Sequence, residues 1–131
     1  MNDTNRFTNQ IIEFKEDERP IAIIGAMKTE ISLLVNELKK DPSISTLTLY
    51  DKTFYSGNLY DHPVVIVECG IGKVNAAFTT SLLVNNFDPK CIINTGIAGS
   101  LRPTLSHLEL LILNATTYHD FNLTPLGLLL S

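Results

Sequence analysis

At 131 residues, with 44% apolar and 18% charged side chains and a formal net charge of -4, the chain has the composition of one globular domain or part of one, and is short for a complete doubly wound enzyme. That charge gives no basic footprint for nucleic acid. No apolar run reaches the length needed to span a bilayer and the start of the chain has no signal-peptide core, so a cytoplasmic protein with neither membrane nor nucleic-acid partners is expected.

Residues 1–19 read as a polar N-terminal extension, with Asp3, Glu13, Glu16, Asp17 and Glu18 set against Arg6, Lys15 and Arg19, and a helical turn around Phe7 to Phe14. Residues 20–131 then form the domain part. Ile21, Ala22, Ile23 and Ile24 run without alternation, as a strand buried on both faces of a parallel sheet does. Gly25 turns the chain, and Ile31, Leu34, Val35 and Leu38 form the inward stripe of a helix closed by Lys39 and Lys40.

Asp41, Pro42 and Ser43 break that helix, and strands near Ser45–Tyr50 and Thr53–Leu59 pair as a hairpin around Asp51 and Lys52. After the turn at Asp61, His62 and Pro63, Val64 to Val67 reads as a second buried strand that ends in Gly70-Ile71-Gly72-Lys73. The next helix turns Val74, Ala77, Phe78, Ser81 and Leu82 inward and stops before Pro89. Cys91 to Ile93 is a third buried strand, followed by the small-residue turn Asn94 to Ser100. A fourth strand is expected over Leu108 to Leu113. Strand, helix, strand, helix, strand is a parallel-sheet order, and right-handed crossovers bring the glycine turns to one end.

Open α/β sheets bind ligands beyond the carboxyl ends of their strands, and Glu30 lies there, in the first turn of the first helix. A carboxylate at that point can reach a substrate. It can equally serve only the helix dipole, worth ~0.3–1 kcal/mol. Gly70 and Gly72 suit close backbone approach to a ligand or simply a tight turn, and they lack the spacing of a P-loop or a complete dinucleotide fingerprint. Cys69 and Cys91 read as reduced structural thiols, a disulfide being the alternative, and with His62, His107 and His119 they offer no metal spacing.

Taken in order, Ile23-Ile-Gly-Ala-Met-Lys-Thr-Glu30, Gly70-Ile-Gly-Lys-Val74, Ile92-Ile-Asn-Thr-Gly-Ile-Ala-Gly-Ser-Leu101 and Tyr118-His-Asp120 resemble the bacterial 5'-methylthioadenosine/S-adenosylhomocysteine nucleosidases. The resemblance runs from about Ile21 to about Thr124. It implies an α/β three-layer sandwich with a mixed, largely parallel central sheet, of the nucleoside phosphorylase/hydrolase type, and a homodimer. It also implies hydrolysis of the N-glycosidic bond of an adenine nucleoside, giving adenine and a thio-sugar, with no cofactor and no metal.

By position the resemblance makes Glu30 the carboxylate that activates water and Met27 a neighbour of the ribose. Ile71 becomes a wall of the nucleoside pocket, and Ala98 and Gly99 small residues bordering adenine. The chemistry suits those residue types. Breaking a glycosidic bond builds positive charge on the sugar, which a carboxylate stabilises while taking a proton from water; adenine then needs a proton from a second acid.

Two departures stand out. Ile97 occupies the place where the family usually has a hydroxyl residue. The family chain also continues well past this one, so the C-terminal half of the family fold, with the purine-protonating acid, is expected to be missing and the chain alone weak or inactive. Past Asp120 the match fades. Two other readings remain open at this stage: a noncatalytic remnant or interaction module completed by a second polypeptide, and a related nucleoside phosphorylase, against which Ile97 weighs. A generic dinucleotide-binding domain ranks below these. Tyr118, His119 and Asp120 are expected to serve a turn, and Lys73 a helix start.

Overall fold

A computed structural model of the chain describes residues 18–121 and 124–126. The proposed polar extension, with its helical turn, lies almost wholly outside them. The described residues fall into two compact units divided between Ala98 and Gly99.

The first unit carries the regular structure. Strand β1 (Ile21–Gly25) leads into helix α1 (Lys28–Leu38), then β2 (Ser45–Leu49), β3 (Lys52–Leu59) and β4 (His62–Glu68), helix α2 (Lys73–Phe87) and β5 (Cys91–Asn94). The sheet order is β2-β3-β4-β1-β5. Strands β4, β1 and β5 run parallel, with Gly25 opposite Glu68 and Ile24 opposite Asn94. Strands β2, β3 and β4 are joined antiparallel as a meander. The sheet is therefore mixed, and its parallel part is the part whose strands end in glycine turns.

Alternation along the central strands divides the core in two. Ala22, Ile24, Val65 and Val67 point to the face covered by α2, where Phe54 and Leu83 complete a buried cluster and Phe87 stacks on Phe54 at 5.2 Å. Ile23, Val64 and Ile66 point to the opposite face, against Ile31, Val35 and Leu38 of α1. Helix, sheet, helix is the three-layer arrangement. Leu38 is fully buried, so truncating it to alanine would remove ~2–5 kcal/mol.

The structure corrects four expectations. In α2 the buried positions are Thr79 and Leu83, while Val74 and Phe78 of the expected inward stripe are exposed. The helix is apolar on nearly every side, so periodicity selects no unique face. Strand β5 forms where expected but all of its residues are exposed, because among the described residues it is an edge strand bonded to β1 alone. The hairpin turn falls at Tyr50 and Asp51 rather than one residue later. Finally, Leu108 to Leu113 is irregular and solvent-exposed rather than a strand; Leu108 itself has a φ of 65°, which a β-strand does not accommodate.

The second unit, from Gly99, is largely without regular structure and contains a 3-10 turn at Thr124–Leu126. Tyr118 packs edge-on to Phe121 at 5.9 Å, and His119 Nδ1 stands 3.9 Å from Asp120 Oδ1 on a bend. No helix among the described residues is long and apolar enough to cross a membrane.

Candidate active site

Because β1 lies between β4 and β5, the turn after β1 is flanked by the turns after the other two parallel strands. Backbone bonds extend these pairings past the strand ends: Cys69 N–H donates to the Gly25 carbonyl at 2.8 Å, and Thr95 N–H to the Ile24 carbonyl at 2.9 Å. Three turns thus leave the sheet side by side. They carry Met27, Ile71, Ile97 and Ala98.

Met27 is the N-cap of α1, with extended backbone at φ -128° and ψ 151°, and Glu30 is the third helical residue. Glu30 Oε2 accepts the Met27 N–H at 3.0 Å. This is the acidic half of a capping box. Met27 supplies only a weakly accepting thioether for the other half, and the Glu30 N–H bonds to the Met27 carbonyl at 3.0 Å. The capping role considered for Glu30 is therefore real, and it leaves Oε1 with no hydrogen bond among the described residues.

That oxygen lies against Gly96. A Cβ on Gly96 would stand 2.9 Å from Glu30 Oε1 and 3.4 Å from its carboxyl carbon. Gly25 lies under the same side chain, since a Cβ there would meet Glu30 Cβ at 3.2 Å and Ile31 Cγ2 at 2.6 Å. Strand β1, helix α1 and the β5 turn thus meet at one half-buried carboxylate.

The turn after β4 is held from α2. Gly70 and Gly72 have φ of 87° and 97°, the left-handed region that other residues enter at a cost. Asn75 Nδ2 donates to the Ile71 carbonyl at 2.8 Å, and Thr79 Oγ1 donates to the Cys69 carbonyl at 3.4 Å. Ile71 itself is 73% exposed and Met27 36% exposed, an apolar pair presented to solvent at the carboxyl edge rather than packed in the core. Ile97 is 88% exposed. Gly99, also expected at the site, begins the second unit.

Cys69 is buried and Cys91 exposed, both as free thiols; burial pushes the Cys69 thiol above its usual range. No group of three His, Cys, Asp or Glu residues able to hold a metal occurs among the described residues. A cavity of about 430 Å³ between α1 and β3 is lined by Lys28, Lys52, Tyr55, Glu68 and Gly70 among others. Another, of about 350 Å³, lies by Pro20, Ser56 and Phe87. Glu30 lines neither of these two cavities. Sequence reading singled out Glu30 and Met27, whereas Gly96 entered it only as part of the small-residue turn Asn94 to Ser100 that follows β5.

The sequence profile of the phosphorylase superfamily matches residues 20–128. A 5'-methylthioadenosine/S-adenosylhomocysteine nucleosidase of Staphylococcus aureus (strain JH9) is 46% identical over 107 residues, which are 82% of this chain and 46% of that protein. Among solved structures, an S-adenosylhomocysteine nucleosidase from Streptococcus pyogenes in complex with 5-methylthiotubericidin superposes with a TM-score of 0.71 at 32% identity, covering 86% of this chain and 47% of the other. A 5'-methylthioadenosine/S-adenosylhomocysteine nucleosidase from Neisseria meningitidis in complex with methylthio-immucillin-A gives a TM-score of 0.61 at 36% identity, covering 67% of this chain and 37% of the other. The chain spans about half the length of the relatives it matches.

Proposed function

The chain belongs to the phosphorylase superfamily, and from that premise we propose that it carries the water-activating part of an adenosine-thioether nucleosidase site, acting without metal or cofactor in the cytoplasm. The observation that carries this reading is the carboxylate of Glu30, tied by Oε2 to the N-terminus of α1 and presenting Oε1 where the parallel strands end.

In the reaction, the bond from C1' of the ribose to the purine nitrogen lengthens and positive charge gathers on the sugar. The negative charge of Glu30 favours that state. Water attacks C1', its oxygen forming the new bond while Glu30 takes its proton. The electron pair of the broken bond leaves with adenine, which takes up a proton of its own. We assign that second acid to the part of its relatives' length that this chain does not span. Met27 and Ile71 offer apolar surface for the thio-sugar, and the small side chain of Ala98 leaves room for a flat base. On this division of labour the 131-residue chain by itself binds an adenine nucleoside weakly and releases little or no adenine.

The test replaces the matched segment of the Staphylococcus aureus relative with residues 20–128 of this chain and follows adenine release from methylthioadenosine. Release that falls ~10²–10⁴-fold on Glu30→Gln supports the reading, because an amide cannot accept the proton. A folded chimera with no release, or one indifferent to Glu30→Gln, refutes it; the first outcome favours a noncatalytic module.

A further inference from the structure

Four glycines stand at the carboxyl ends of the parallel strands, and they are there for different reasons. Gly70 and Gly72 have positive φ, which is a backbone requirement. Gly25 and Gly96 do not, so alanine could adopt their backbone; what each provides is space. At Gly25 the space is filled by Ile31 Cγ2, 2.6 Å from where a Cβ would lie, which is core packing. At Gly96 the three nearest atoms all belong to Glu30: Oε1, the carboxyl carbon and Oε2, at 2.9, 3.4 and 3.8 Å.

We propose that Gly96 is a positioning residue for Glu30, its missing side chain being the space that admits Oε1 while Oε2 stays on the Met27 N–H. The proposal rests on the nucleosidase reading for its consequence, but not for its geometry. A carboxylate whose two oxygens are interchangeable by rotation presents either one to water. Here one oxygen is pinned by a charge-assisted bond to a helix N-terminus, and the other lies where a Cβ at position 96 would crowd it. Oε2 already accepts one hydrogen bond, whereas Oε1 accepts none among the described residues and keeps both lone pairs for a proton.

Any side chain at 96 must drive the carboxylate away, because contacts below 3.0 Å from a Cβ are not tolerated. Glu30 reaches this spot with the tip of a flexible chain, so the displacement is cheap for the fold. Gly96→Ala is accordingly a mutation that moves a functional group more than it disturbs the core.

The experiment uses the full chain, isotope-labelled, and compares wild type with Gly96→Ala by NMR. The expected result is a changed Glu30 carboxyl ¹³C shift, and exchange of the Met27 amide faster by about tenfold, with the methyl signals of Ile24 and Val65 unmoved. An unchanged Glu30 carboxyl signal together with unchanged Met27 exchange overturns the proposal. A double variant covers the case where Gly96→Ala melts too early for NMR. Shortening the carboxylate in Gly96→Ala/Glu30→Asp should restore the melting temperature that Gly96→Ala loses, and absence of that rescue also overturns the proposal. Neither readout depends on hydrolysis. Failure here leaves the role of Glu30 in catalysis standing, and failure of the chimera leaves the Gly96 contact standing.

Discussion

Oε2 of Glu30 accepts the backbone N–H of Met27 at 3.0 Å, so the residue proposed to activate water also caps the helix that carries it. The two roles separate by substitution. Glu30→Ala removes the acceptor and should cost ~0.5–2 kcal/mol, as lost caps do. Glu30→Gln keeps an oxygen for the Met27 N–H and loses only the charge facing the helix dipole, ~0.3–1 kcal/mol. Urea midpoints should therefore rank wild type, Gln, then Ala, while both variants lower adenine release in the chimera ~10²–10⁴-fold. Equal midpoints for all three would show that the cap bond contributes nothing.

How far the sequence alone leads is visible at this corner. The stripe Ile31, Val35 and Leu38 has a helical period against a polar background, and it fixes α1 and hence the position of Glu30. Helix α2 has apolar residues on most sides, and a stripe read from it selects Val74 and Phe78, which the structure leaves exposed. Short apolar runs carry still less: Cys91 to Ile93 and Leu108 to Leu113 look alike in sequence, yet one pairs with β1 and the other is irregular. Gly96 is the least legible of the candidate residues. Its contribution is an absent Cβ facing a residue 66 positions earlier in the numbering, and no local pattern records that.

Ile97 follows Gly96 directly and is 88% exposed, where the nucleosidases resembled in sequence usually carry a hydroxyl. An exposed side chain can be changed at little structural cost, within ~0.5 kcal/mol. In the chimera, Ile97→Ser should raise adenine release ~5–10-fold, the scale of one added neutral hydrogen bond to water or sugar, and leave the melting temperature in place. A fall in release would mean that the isoleucine supplies apolar contact to the substrate.

The turn between β3 and β4 is improvable. Tyr60 and Asp61 have φ of 49° and 64°, the pair of positive values of a type I' hairpin, whose preferred residues are Asn and Gly. Tyr60 is largely exposed and bears the left-handed conformation without evident packing return. Replacing the pair by Asn-Gly should stabilise the first unit by ~1 kcal/mol, read as a higher urea midpoint with an unchanged slope. A lower midpoint would show that the tyrosine ring contributes more than its backbone strain costs.

Asp41 ties the end of α1 to β3, and it should make stability depend on pH. Its carboxylate accepts the backbone N–H of Asn58 and, at 2.9 Å, that of Ser43. These bonds, the one from Asn58 first, hold its pKa below the usual carboxylate value. A depressed folded-state pKa means that the native state binds its proton less readily than the unfolded chain, whose Asp titrates near ~3.9. The contribution of Asp41 is thus fully present above that value and is lost as pH falls through the lower, folded-state pKa. Wild type should lose urea midpoint between pH 6 and pH 3 more steeply than Asp41→Asn, which has no charge to neutralise and begins from a lower midpoint. Parallel decline of the two would assign the acid sensitivity to other carboxylates.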